Sequence, residues 1–185
     1  MPPILNKEKT IIAIILSTLM GCSSANHMAT AESFIDAFYS YQPHQLEARV
    51  IAGPDLERVK YYQAWAEAAH YKIKQRNPCK NKDTTITCAI TVTDDFGKTL
   101  GYTATDTFTL QVNQTGQIIG VSFTGDDPPI FDELLGWIQT NQVDVLTGPC
   151  KDFFNGGLTP KDCARAVVAA AQTFMVSREN AVKDE

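Results

Sequence analysis

Thr85-Ile86-Thr87-Cys88-Ala89-Ile90-Thr91-Val92-Thr93 carries Ile86, Cys88, Ile90 and Val92 in strict alternation with four threonines and Ala89. A period of two is the signature of a half-buried strand, in which every second side chain lies on one face. The same period extends in both directions. Upstream, Tyr71, Ile73, Gln75, Asn77 and Cys79 share one phase while Lys72, Lys74 and Arg76 share the other. Downstream, Asp94-Asp95-Phe96-Gly97-Lys98 reads as a turn, after which Tyr102, Ala104, Asp106, Phe108, Leu110 and Val112 alternate with Thr103, Thr105, Thr107, Thr109 and Gln111. Asn113-Gln114-Thr115-Gly116 turns the chain again, with Gly116 suited to a left-handed position. Gln117–Thr124 then places Ile119, Val121 and Phe123 on one side. Three consecutive hairpins make a four-stranded antiparallel meander.

Helical periods flank this sheet. Phe34, Ile35, Phe38 and Tyr41 fall on one face of a helix over Glu32–Tyr41, with Asp36 opposite as a solvated residue. Pro43 ends it, Gln45–Ile51 forms a short second piece, and Pro54 opens a third helix to about Ala69 that buries Val59, Tyr62, Trp65, Ala66 and Ala69. After the sheet, Asp126-Asp127-Pro128-Pro129 is a stop. Phe131, Leu134, Leu135 and Ile138, with Trp137 beside them, set a helix over Pro129–Thr140, and residues 148–157 read as loop. Thr159-Pro160-Lys161-Asp162 reads as an N-cap with proline at the first helical position, leading a last helix that carries Ala164, Val167, Val168, Ala171 and Met175 on one stripe. The fold class is α+β, with N-terminal helices packed on the meander and C-terminal helices following it.

The first twenty-two residues have a different character. Lys7 and Lys9 form a basic start, and Thr10–Leu19 is an uncharged apolar run too short to span a bilayer, where about 20 residues are needed. This is the pattern of a secretory signal, and Leu19-Met20-Gly21-Cys22 resembles the lipobox of bacterial lipoproteins. The resemblance implies cleavage between Gly21 and Cys22, with lipid carried on the thiol and amine of Cys22. Ser23, in place of an aspartate, points to the inner leaflet of the outer membrane, facing the periplasm. The expected organisation is a signal peptide over 1–21, a lipidated tether over 22–30 and one α+β domain over 31–178. Within that domain 31–140 is the core and 141–178 a C-terminal helical extension, and a frayed tail covers 179–185. Eight small polar residues, Ser23–Thr30, reach at most about 27 Å if extended.

Removing residues 1–21 leaves 164 of 185, and losing Lys7, Glu8 and Lys9 takes the net charge from −5 to −6. An acidic domain argues against nucleic acid as a partner and against electrostatic adhesion to an anionic membrane, so attachment rests on lipid. With Cys22 assigned to lipid, the odd count of five cysteines becomes four: Cys79, Cys88, Cys150 and Cys163. Four allow three connectivities. Strand phase favours the local one, because pairing Cys79 with Cys88 sets Asn77 opposite Ile90 and Gln75 opposite Val92. A Cys150–Cys163 bridge would tie the last helix to the loop before it. No Cys-x-x-Cys pair exists and His27, His44 and His70 are scattered, so neither a metal nor another cofactor is expected.

Aromatic-rich N-terminal helices feeding a Thr/Val/Ile meander over residues 30–140 resemble the cystatin-like cone of the nuclear-transport-factor-2-like superfamily, which includes ketosteroid isomerase and small polyketide cyclases. That resemblance implies a cone-shaped cavity, used by some members for isomerase, dehydratase or cyclase chemistry and by others for binding alone. Asp106 is the candidate site residue, since it shares the inward phase of Ala104 and Phe108. A carboxylate there either titrates as a base, lies at a strand end or sheet edge with access to water, or makes a structural bond to a tyrosine. Tyr102 and His70 are the candidate donors beside it, and Trp65, Tyr62, Phe34 and Trp137 are either cavity walls or plain core. Asp126-Asp127 matches no calcium loop. No nucleophile elbow, phosphate loop, zinc-protease or dinucleotide motif is present. The expected function is therefore non-catalytic: a membrane-anchored periplasmic lipoprotein binding a small apolar ligand or an envelope protein. The alternative is an isomerase, dehydratase or cyclase with Asp106 as general base.

Overall fold

The computed structural model describes residues 12–82, 85–153 and 158–183, with side chains from residue 26 onward except that of residue 182. The basic start of the signal segment, the end of the expected 148–157 loop and the last two residues of the expected tail lie outside that range, as does the Cys22 side chain.

Helix α1 (Ile12–Tyr39) is far longer than the periodicity over Glu32–Tyr41 implies. Residues 12–39 contain no proline and a single glycine, so nothing in the backbone chemistry halts the helix before Glu32. Residues 22–30 are thus helical where an extended tether is expected, and at a 1.5 Å rise the eight residues Ser23–Thr30 cover about 12 Å instead of about 27 Å. Ala31, Phe34, Ile35, Ala37 and Phe38 are buried. The helix ends where Tyr41 turns left-handed (φ 58°), and Gln63 Nε2 satisfies two of its last carbonyls, Ala37 O and Phe38 O, both at 2.9 Å. Helix α2 (Pro43–Glu47) begins at the proline expected to end its predecessor. Helix α3 (Pro54–Ala68) matches its expected span, but buries Tyr61 and Gln63 while leaving Tyr62 half-exposed.

Strands β1 (Lys72–Arg76), β2 (Lys80–Lys82), β3 (Thr85–Thr93), β4 (Ala104–Val112) and β5 (Ile118–Thr124) form one antiparallel sheet in the order β1-β3-β4-β5, with β2 also on β3. The meander is as expected, except that its first strand is broken in two around Pro78, which has no N–H to give the ladder. β3 and β4 alternate buried and half-buried residues along most of their length.

The expected register holds on β2 and fails on β1. Lys80 pairs with Thr87 and Lys82 with Thr85, and the same register puts Cys79 opposite Cys88, where the disulfide forms at a Cα–Cα distance of 4.3 Å. Beyond Pro78, Arg76 faces Ile90 and Gln75 faces Thr91, one residue out from the expected pairing of Gln75 with Val92. A second irregularity at Lys74 shifts the register again, so Ile73 faces Val92. Each one-residue slip exchanges the faces. The net effect is that Arg76 alone is turned to the side of the buried Ile90, towards α1, where it pairs with Glu32 and Asp36. Asp36, expected to be merely solvated, has this partner.

The outer edge of β5 is covered by the segment between α1 and α3. Ile51 N donates to Ile118 O, Ile118 N to Arg49 O, and Val121 N to Asp55 Oδ2, while Arg58 reaches Val121 O. An uncovered edge would template further strands, and these bonds occupy it.

Where a simple turn is expected after β3, a short helix α4 (Asp95–Leu100) forms, capped by the Asp94 carboxylate on Gly97 N (2.6 Å) and closed by Gly101 in the left-handed region (φ 83°). Helix α5 (Pro129–Asn141) runs as expected and is followed by α6 (Val143–Thr147). Helix α7 (Pro160–Lys183) extends through most of the segment expected to fray. Thr159 precedes it as expected, but its hydroxyl donates to Pro149 O. The Cys150–Cys163 disulfide ties the start of α7 to the end of the α6 loop.

Two hydrophobic clusters result. One lies between α1, α2, α3 and the sheet. The other gathers Trp65 and Ala69 of α3 with α4, α5 and α7. Helix α3 serves both, presenting Val59 and Ala66 to the first and Trp65 to the second.

Candidate functional site

The seam between the two clusters is incompletely filled. A cavity of about 90 Å³ remains there, lined from the first cluster by Phe38, Tyr62, Ala66 and Phe123 and from the second by Trp65, Phe96, Phe131 and Phe153, with Tyr71 between them. Large rings pack edge to face at centroid distances near 5–6 Å, as Trp65 with Phe96 and Tyr71 with Phe96 do, and rigid planes of this kind leave gaps that branched aliphatic chains would close. Its polar lining consists of the carboxylates of Asp106 and Asp127 and the hydroxyls of Tyr62 and Tyr71.

Asp106 sits where its strand phase predicts, on the inward face of β4 opposite Ile90, with 3 % of its surface exposed. The Tyr39 hydroxyl donates to Oδ2 at 2.8 Å. Among the described residues nothing donates to Oδ1. Burial is the main cause that pushes the Asp106 carboxyl up to about 7, and Asp127, Asp94 and Asp126 push the same way, while the Tyr39 bond pulls it down. Asp106 thus makes a side-chain bond to a tyrosine while burial holds its carboxyl above the ordinary range.

Two further carboxylates surround it. Asp94 is 1 % exposed, capped into α4, and lifted to about 6, mainly by burial. Asp127 is also raised by burial and accepts from the Tyr102 hydroxyl at 3.3 Å. Its neighbour Asp126 accepts from Thr105 N, so the pair expected to be a solvated stop ties the α5 approach to β4. Tyr71 is raised well above its ordinary value by burial, then by Asp106, Asp94 and Asp127, with the neighbouring Trp65 indole pulling the other way.

Of the expected site residues, Asp106, Tyr62 and Trp65 line the cavity. Tyr102 stands on its Asp127 side, not on Asp106. Phe34 is fully buried core, edge-on to Phe108 at 5.6 Å, and Trp137 packs on Phe174 in the second cluster. His70 is turned away. It takes a left-handed backbone (φ 55°) after α3, its side chain is 69 % exposed, and its Nδ1 lies 2.5 Å from Asp95 Oδ2. It therefore cannot serve as a donor to anything bound at Asp106.

Sequence reading missed Tyr39, Phe38, Tyr71, Asp94 and the outer ring of Phe96, Phe123, Phe131 and Phe153. Tyr39 follows Ile35 at i+4, so the helical period alone could have placed it beside the buried stripe. Among the described residues no cluster of three or more His, Cys, Asp or Glu could hold a metal ion, and no helix is long and apolar enough to cross a membrane. No family model, curated protein or solved structure matches the chain.

Proposed function

We propose that this chain is a lipid-anchored envelope protein whose α+β domain binds a small ligand in the aromatic cavity without transforming it. The observation that carries this reading is the cavity itself: apolar walls converging on one buried carboxylate with a free oxygen, the usual design of a small-molecule site. Anchoring rests on the lipobox-like Leu19-Met20-Gly21-Cys22. At about 90 Å³ the space holds roughly six to nine water-sized positions, far short of the 300–1,000 Å³ typical of drug-sized ligands. Lipid chains and polycyclic molecules are too large for it.

The second reading is a proton-transfer enzyme of the isomerase, dehydratase or cyclase type, favoured by an Asp106 carboxyl near neutrality, where a general base works best. Against it stands the placement of the expected oxyanion donors, since Tyr102 is engaged with Asp127 and His70 with Asp95.

Two measurements test the proposal. Native mass spectrometry of protein extracted gently from its membrane should show a bound small molecule that is lost in an Ala66→Met variant, in which the larger side chain fills the cavity. Persistently empty spectra would turn the reading towards a protein partner. Cys22→Ala should leave the chain unlipidated and out of the membrane fraction, and lipid labelling of that variant would remove the anchor from the proposal.

A further inference from the structure

The cavity has a chemical bias beyond its size. Its walls are mostly aromatic, from Phe38 and Trp65 to Phe131 and Phe153, its charged lining residues are Asp106 and Asp127, and no lysine, arginine or histidine is among the described residues that line it. Aromatic faces are the negative ends of ring quadrupoles, and they attract cations most strongly where water is excluded. Asp106 adds a carboxylate oxygen, Oδ1, to which no described residue donates, on a buried residue whose Oδ2 is held by Tyr39. A carboxylate on the wall of an aromatic cavity makes its strongest hydrogen bond with a charged donor, which a cationic ligand supplies. An anionic ligand would meet Asp106 and Asp127 with no positive side chain among the described lining residues to offset them.

Resting on the small-ligand reading above, we infer that the ligand is a small organic ammonium cation of roughly six to nine non-hydrogen atoms, its apolar body enclosed by the aromatic walls and its N–H directed at Asp106 Oδ1. The purely apolar ligand expected from the sequence would leave that oxygen bare.

The titration of Asp106 bears on the strength of binding. The groups that face it are Tyr39 on α1, Tyr41 just after it, Tyr71 before β1, Asp94 at the start of α4, and Asp126 and Asp127 between β5 and α5. All of them are acidic or phenolic. A bound cation is the missing counter-charge, and it binds best when Asp106 is ionised.

The probes are benzylammonium and its neutral counterpart benzyl alcohol, with eight non-hydrogen atoms each and the same shape. Calorimetry and tryptophan fluorescence on the full chain in mild detergent should give benzylammonium at least tenfold tighter binding than benzyl alcohol at pH 8. Asp106→Asn, which keeps an oxygen for the Tyr39 bond, should erase that difference and leave benzyl alcohol within about twofold. On the unaltered protein, benzylammonium affinity should fall several-fold between pH 8 and pH 6 while benzyl alcohol stays constant, a readout that needs no variant. If benzyl alcohol binds as tightly as the amine, or the variant keeps the difference, the cation inference is wrong and the small-ligand reading stands. If neither probe binds the folded protein at millimolar concentration, both readings fall.

Discussion

The Tyr39 hydroxyl on α1 donates a 2.8 Å hydrogen bond to Asp106 Oδ2 on β4, joining the N-terminal helix to the centre of the sheet through a half-buried phenol and a buried carboxylate separated by 67 residues of sequence. The bond holds one carboxylate oxygen and leaves the other towards the cavity. Tyr39→Phe removes the donor while keeping the ring that packs edge-on to Phe38. Because the bond lowers the Asp106 pKa, the variant should titrate at higher pH than the parent, as read by carboxyl carbon NMR. It should also lose about 1–3 kcal/mol of unfolding free energy, the cost of leaving a buried acceptor unmade. An unchanged Asp106 titration would show that the bond does not form in solution.

The buried carboxyls give stability a definite pH dependence. Burial holds Asp106 at about 7 and Asp94 at about 6, both above the 3.8 of an ordinary aspartate. Between those limits the folded chain binds more protons than the unfolded chain, so stability falls as pH rises from about 4 to about 7. For Asp106 the upper bound is about 4 kcal/mol, at about 1.4 kcal/mol for each pH unit. Urea unfolding at pH 4.5, 6 and 8 should show this decline, and Asp106→Asn should flatten it. Parallel declines in parent and variant would place the titration elsewhere.

Arg76 binds both α1 carboxylates, and Glu32 has a second task, accepting from Cys79 N at 2.6 Å through Oε1 while Oε2 takes Arg76 at 2.7 Å. Glu32→Ala should therefore cost more than Arg76→Ala, roughly 1–3 kcal/mol against about 1 kcal/mol, since only the former orphans a backbone N–H. Denaturation of the two single variants and the double variant gives their coupling. Equal costs for the two would mean that Cys79 N is satisfied by water.

The disulfides close loops of ten and fourteen residues, for which chain entropy gives about 3 kcal/mol each. Cys150→Ala/Cys163→Ala should lower the melting temperature by several degrees and loosen the start of α7, visible as faster amide exchange there. Thiol titration of the denatured, unreduced chain should find none of Cys79, Cys88, Cys150 or Cys163 free.

Side-chain alternation made most of the sheet legible, because a face that is half buried must be apolar at every second residue. It located β3, β4 and the inward turn of Asp106 without any knowledge of the helices, and the phase of Cys79 and Cys88 gave their disulfide. The same reasoning assumed an unbroken ladder, which is why it misplaced Gln75 and did not foresee the pairs of Arg76. Helix α4 has only six residues, too few to show a period, although its limits were written in Asp94 and Gly101. The cavity was hidden for another reason. Its walls come from seven separate stretches of chain, and no local pattern records which rings meet at the seam of two clusters.

The two irregularities in the first strand, at Lys74 and near Pro78, each insert one extra residue on the same strand. Either one alone would carry its inversion through the rest of the strand, turning Lys74 to the side of Val92. Because side chains repeat every two residues, the two insertions together restore the phase, and the inversion is confined to the span around Arg76. Deleting Lys74 alone should therefore disrupt the sheet edge, and deleting Pro78 as well should suppress that defect at the cost of the Arg76 pairs. Spatial phase in this strand is thus lost at one insertion and regained at the next, one residue at a time.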